Sequence, residues 1–163
     1  MRESQPENSY PMNTALRSGR QAPAEAAIIM PSSLGTVLVV EDEEGIREVI
    51  AMLLSHLNYS VICAACGADA IEKFKKHQGS IDVLLTDVVM PGMNGLKVAE
   101  TLAALDPDLK IIIMSGYPGG DGSEERGVPF LQKPFTSEKL AKTLRELMDQ
   151  RIRECPLDRK SVV

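Results

Sequence analysis

The sequence has little cysteine, little histidine, no long apolar run and no surplus of basic charge, and each shortage removes a class of protein. Its three cysteines form an odd set without a disulfide framework, which fits a reducing compartment. Two of them, Cys63 and Cys66, make a C-x-x-C. A redox pair of that kind opens a helix. Here Gly67 follows and the helical pattern begins after it, so the pair reads as a strand end and a loop residue. The two histidines, His56 and His77, fit no zinc-ligand spacing. No apolar stretch approaches the length of a membrane span. The N-terminus lacks the basic start and apolar core of a secretory signal, "AAIIM" at 26–30 being too short. The cytoplasm is therefore the expected compartment. Net charge is −5, with the acidic excess inside residues 36–152. A nucleic-acid binder needs a basic footprint, so neither nucleic acid nor a membrane is expected as a partner. There is no glycine-rich loop ending in Lys-Ser/Thr for nucleotide phosphates, and no Ser-His-Asp set of note.

What is present is an alternation of two hydrophobic periods. Residues 1–34 carry four prolines, many small polar residues and no sustained period, and are expected to be a disordered tail. The pattern changes at Gly35. "TVLVVE" (36–41) is a short β-branched run, apolar on both faces, as a buried parallel strand reads. Ile46, Val49, Ile50, Leu53, Leu54 and Leu57 then lie on one face of a helix, which Asn58 can end. "YSVICAA" (59–65) predicts a second strand, and Ala70, Ile71 and Phe74 a second helix closing near Gly79. "IDVLLTD" (81–87) is a third strand, followed by a helix on Val98, Leu102 and Leu105 that ends before Pro107. "LKIIIMS" (109–115) and "VPFLQ" (128–132) are the fourth and fifth strands. Leu140, Leu144, Leu147 and Met148 mark a last helix, with Thr136 as its N-cap. A single domain over 35–152, with a further tail at 153–163, is the expected organisation.

Strands apolar on both faces that alternate with helices predict an α/β fold: a flavodoxin-like, doubly wound, five-stranded parallel sheet. With strand order 2-1-3-4-5, the site lies at the carboxyl ends of the strands. Strand one ends in Glu41-Asp42, strand three in Asp87, strand four in Ser115 and strand five near Lys133. Singly, each has an ordinary explanation: acids suit a helix start, and Ser and Asp suit turns. Together they bring three carboxylates, a hydroxyl and an ammonium to one sheet edge. Crowded carboxylates resist ionisation, and a hard divalent cation relieves this. Oxygen-only ligands favour magnesium or calcium, and magnesium takes few carboxylates plus water and phosphate oxygens. A carboxylate beside such an ion, a lysine and a serine can attack a phosphoryl group.

The motifs "VLVVEDE", "LLTDVVMPGMNG", "IIIMSGY" and "FLQKPF" resemble the receiver domain of two-component response regulators, over about Gly35 to Arg151. Both the single-domain, chemotaxis-regulator-like receivers and those of hybrid histidine kinases are similar. The resemblance implies that Asp87 is the phosphoacceptor. It implies Mg2+ held by Asp42, Asp87 and the backbone carbonyl of Val89, with Glu41 acting through water. It also implies that Ser115 is the switch hydroxyl, Lys133 its ammonium partner, Phe130 the aromatic switch residue and Tyr117 a residue tuning hydrolysis. A cis bond before Pro134 follows too, as proline permits. The implied partner is a sensor or hybrid histidine kinase or a phosphotransfer protein. The implied chemistry is self-catalysed phosphotransfer and autodephosphorylation rather than turnover of a substrate. No DNA-binding output domain is expected in the few residues after the last helix.

One segment departs from the family pattern. Half of residues 116–127 are glycine or proline, and only "DGSEER" (121–126) could form a helical turn. The family's fourth helix is therefore expected to be shortened, mobile or missing, and to become ordered on phosphorylation. Two other readings remain at this stage. One is a binding module that is never phosphorylated. The other is an aspartyl-phosphate phosphatase, against which stands Val89 where such enzymes place a second acid.

Overall fold

Short runs of valine, leucine and isoleucine become strands because they are too brief for helices and can bury both faces. In the computed structural model, which describes residues 33–118 and 127–153, they are β1 (Thr36–Val40), β2 (Ser60–Ala64), β3 (Val83–Asp87), β4 (Lys110–Ser115) and β5 (Phe130–Gln132). The helices are α1 (Glu44–His56), α2 (Gly67–Lys76), α3 (Gly95–Leu105) and α4 (Ser137–Arg153). The strands form one sheet in the order β2-β1-β3-β4-β5, with every pairing parallel. The expected fold class and strand order are therefore observed. The chain leaves β1 towards β2 on one side and later crosses to β3 on the other. That reversal sets α1 and α4 on one face and α2 and α3 on the opposite face.

Alternation along the strands divides the core in two. Val37, Val39, Val83, Leu85, Ile112 and Met114 pack with Ile50, Leu54, Leu140 and Leu144 of α1 and α4. Leu38, Val40, Leu84 and Ile113 pack with Phe74, Val98 and Leu102 of α2 and α3. Each large aliphatic side chain buried in this way contributes about 1.5–3 kcal/mol. No helix among the described residues is long and apolar enough to cross a membrane.

The helix ends follow local chemistry. Beyond α1, Asn58 adopts φ 67°. Its N–H donates to the Ser55 carbonyl at 3.0 Å, and the Tyr59 N–H donates to the Leu54 carbonyl at 3.0 Å. This pair of bonds closes a helix through one left-handed residue. The Asn94 side chain accepts from the Leu96 N–H at 2.7 Å at the start of α3. The Thr136 hydroxyl accepts from the Lys139 N–H at 3.2 Å at the start of α4.

Several boundaries differ from the sequence expectation. Helix α2 begins at Gly67 itself, with Cys66 in the N-cap position. A Cβ at Gly67 would lie 2.8 Å from side-chain atoms of Met93 and Val98, so only glycine lets α2 start this close to α3. Cys63 sits within β2 and packs on the α1/α4 side, and burial pushes its thiol pKa up. A reactive redox thiol has the opposite property. Strand β2 is an edge strand and only half-buried. Val49, placed on the core face of α1 by its spacing, is 57% exposed. It lines an open groove beside α1 instead of the core. Of the segment expected to carry a degenerate fourth helix, 116–127, residues 119–126 lie outside the described residues, as do most of both tails.

Asn58→Val should lower stability by about 1–2 kcal/mol, the cost of a β-carbon in the left-handed region. Asn58→Gly should cost nothing or stabilise slightly. Urea unfolding of the two variants checks this, and equal losses would contradict the capping role.

Candidate functional site

Four strand ends are held together by the sheet's own hydrogen bonds. Directly after β1, Glu41 donates its N–H to the Ala64 carbonyl of β2 at 3.1 Å. After Asp87, the last residue of β3, Val88 donates to the Met114 carbonyl of β4 at 3.0 Å. Lys133, just past β5, donates to the carbonyl of Ser115 at the end of β4 at 2.8 Å. The peptide bond from Lys133 to Pro134 is cis.

The side chains there make one charged cluster. Lys133 Nζ lies 2.5 Å from Glu41 Oε2 and 3.3 Å from Asp87 Oδ1. Glu41 is buried, at 1% exposure, while Asp42 beside it is exposed. Glu41, Asp42 and Asp87 each present a carboxylate oxygen, and these oxygens lie within 4.8 Å of one another. Burial raises the Glu41 pKa above its ordinary value, and the neighbouring Asp87 charge adds to this. The hydrogen bond and charge of Lys133 offset part of the rise. Three hard oxygen donors at this separation suit a magnesium or calcium ion, so the donor set fits a divalent cation that would relieve the carboxylate repulsion.

The other predicted site residues surround the cluster without all joining it. Ser115 is buried, and its hydroxyl oxygen accepts the Tyr117 N–H at 3.2 Å. The Tyr117 side chain is 64% exposed and that of Val89 57%. Phe130 is half-buried and packs on the α2/α3 side, three residues before Lys133. It contributes to the wall of the sheet rather than to the charges.

Three residues supporting the cluster were not singled out from the sequence. Gly95 is one: a Cβ there would lie 1.8 Å from the Asp87 carbonyl oxygen and 2.8 Å from Thr86 Oγ1. The first residue of α3 thus sits directly on the backbone of Asp87, and its N–H donates to the Val88 carbonyl at 3.0 Å. Thr86 is fully buried and donates its hydroxyl to the Asp87 carbonyl at 3.1 Å. Arg47 Nη1 donates to the carbonyls of Glu41 at 2.7 Å and Asp42 at 3.3 Å. The one trace of these roles in the sequence is a glycine at the start of α3, where a better helix former would be usual.

Lys133→Met leaves Glu41 buried beside Asp87 without its cation. In a metal-free buffer at neutral pH this should cost roughly 1–3 kcal/mol. Because the folded-state Glu41 pKa is raised, this group favours the folded state below pH 4.5 and loses that contribution as pH rises through its folded pKa. The variant's deficit should therefore shrink as pH is lowered and Glu41 takes up a proton. Chemical unfolding at pH 7 and near pH 4.5 checks this, and a deficit that does not depend on pH would contradict the pairing.

Residues 37–145 match the family described as "Response regulator receiver domain". The chain is 36% identical over 125 residues to the sensor kinase CckA of Brucella abortus, covering 73% of this chain but 13% of that protein. It is 31% identical over 116 residues to the response regulator receiver protein CpdR of Brucella abortus, covering 69% of this chain and 95% of CpdR. Among solved structures, the receiver domain of the hybrid histidine kinase CckA aligns with a TM-score of 0.62 at 33% identity, over 70% of this chain and 99% of that one. The response regulator TrrA of Thermotoga maritima, solved with Mg2+ and beryllium fluoride, aligns at 0.63 and 31% identity, over 70% and 99% of the two chains.

Proposed function

The chain belongs to the response regulator receiver family of two-component signalling, in which phosphoryl acceptance is general, and from that premise we propose that Asp87 accepts a phosphoryl group from a phosphohistidine. The donor is a sensor kinase, a hybrid kinase or a phosphotransfer protein. The observation that carries this reading is the single lysine bridging Glu41 and Asp87, beside three carboxylate oxygens that share one small space.

In the proposed reaction an Asp87 carboxylate oxygen attacks phosphorus in line with the imidazole. The P–N bond breaks, a P–O bond forms, and the imidazole leaves as the neutral ring once it carries a proton. Lys133 is the cation for the phosphoryl oxygens, giving up its contact with Asp87 as charge moves outward. Ser115 donates its hydroxyl to another phosphoryl oxygen, which its resting contact allows, since there Oγ only accepts the Tyr117 N–H. Asp42, Asp87 and the Val89 carbonyl would hold Mg2+ directly, with Glu41 acting through water. When bound, Mg2+ supplies charge neutralisation for the transferring group. Water later attacks phosphorus, the bond to the Asp87 oxygen breaks, inorganic phosphate leaves and the carboxylate is restored, with the exposed Tyr117 ring setting the water's access. The protein is then a switch that catalyses its own modification, not an enzyme with a separate substrate. It acts in the cytoplasm on a protein partner.

The surface beside the site supports the choice of donor. An apolar groove of about 460 Å³ runs between α1 and the loop after β5, lined by Ile46, Val49, Leu53, Pro134 and Phe135 and reaching Lys133. Val49 and Met52 of α1 are more than half exposed. A histidine-bearing helix seated there would lie next to Asp87.

Incubation with Mg2+ and acetyl phosphate, followed by intact-mass measurement, should show one phosphoryl adduct. Asp87→Ala and omission of Mg2+ should each abolish it. Absence of an adduct from acetyl phosphate and from a phosphorylated phosphotransfer protein would overturn the reading in favour of an unphosphorylated binding module. Sustained hydrolysis of a generic phosphate ester would instead favour a phosphatase.

A further inference from the structure

We propose that Arg47 is a positioning residue for the acidic pocket, holding the turn between β1 and α1 in the shape that aims Asp42 at a divalent cation. The inference rests on reading that pocket as a metal site. The turn is Glu41–Glu43, and with Glu44 at the start of α1 it makes "EDEE" (41–44), four carboxylates in succession. Glu41 is fixed by burial, by Lys133 and by the Glu43 N–H, which donates to its Oε1 at 3.3 Å. Asp42 is exposed, so the direction of its carboxylate depends on the backbone that carries it. The N-cap residue, Glu43, makes no side-chain capping bond to steady that backbone. Arg47 steadies it from one turn further on. Its Nη1 bridges the successive carbonyls of Glu41 and Asp42 at 2.7 and 3.3 Å, and its own N–H donates to the Glu43 carbonyl at 2.9 Å. Two carbonyls tied to one nitrogen fix the peptide planes on both sides of Asp42. A planar guanidinium is suited to such a bridge, whereas an ammonium is a point charge on a loose stem.

The sign of the effect separates this role from simple electrostatics. A fixed positive charge near a cation site repels the cation, so removing Arg47 should tighten divalent binding if charge alone matters. If Arg47 is a brace, removing it should weaken binding, because the free site must then be ordered at the expense of the ion's affinity. Supporting groups around metal ligands commonly change affinity by about 10–100-fold.

The test is calorimetric titration of Mg2+ into the full chain, with amide hydrogen exchange of residues 41–44 measured without metal. Arg47→Met should bind Mg2+ about 10-fold more weakly and exchange faster at Asp42 and Glu43. Arg47→Lys keeps the charge and loses the bridge, so it too should bind more weakly. Arg47→Gln has an amide that can donate to a carbonyl and should recover part of the loss. Arg47→Met binding Mg2+ as tightly as the unaltered protein, or tighter, would overturn the proposal. If Arg47→Met does not fold, Arg47→Lys decides, and unchanged affinity in that variant overturns it. Failure of the unaltered protein to bind Mg2+ would remove the metal reading of the pocket, and this inference with it. Normal binding by both the unaltered protein and the variants would remove this inference alone.

Discussion

The contact on which the site depends is that of Lys133 with Glu41 and Asp87. It joins residues 92 positions apart, and it answers a problem that the fold creates. A carboxylate at 1% exposure is costly unless a cation satisfies it. Glu41 lies at the end of a strand whose four preceding residues are all fully buried, so it cannot turn out to solvent without leaving the sheet. Lys133 reaches it only because β5 is added beyond β4 in the same parallel direction. The ammonium therefore fastens the C-terminal part of the domain to β1 and β3.

That constraint explains how the molecule divides its chemistry. The bodies of the central strands β1 and β3 are apolar but for Thr86 and buried on both faces, while the carboxylates of the site and Lys133 gather where the chain leaves the strands. Helices α1 and α3 start at this edge, α1 directly after the acidic residues and α3 after the loop 88–94. Their first turns pack on the site: Gly95 on the Asp87 backbone and Arg47 on the backbone of Glu41 and Asp42. An Asp87 carboxylate held in this manner has little freedom beyond its own rotamer. The proposed transfer to Asp87 would draw on that preorganisation. Charge balance at the edge is incomplete, since one lysine faces three carboxylates. A divalent cation would offset that shortfall.

Much of this was legible in the sequence, because burial leaves periodic traces. The strands appear as short apolar runs, the helices as stripes of 3.6-residue period, and the strand order as the usual arrangement of such an alternation. The charged residues stood out because they end the apolar runs. What was not legible depends on contacts without a period. Arg47 and Thr86 act through backbone carbonyls, and any surface arginine or strand threonine looks the same in sequence. Gly67 and Gly95 matter for the atoms that a Cβ would strike, which only the packed helices reveal. Val49 has the spacing of a core residue, yet it faces a groove.

In the proposed function these strand ends act as one phosphoryl site. The most direct measurement is an amide NMR titration of the full chain with beryllium fluoride in the presence of Mg2+, the pair bound in the related TrrA structure. Saturable shifts are expected at residues 41–42, 87–89, 115–117 and 133, dependent on Mg2+ and absent in Asp87→Ala. Shifts that fail to saturate, or that survive in Asp87→Ala, would contradict that function.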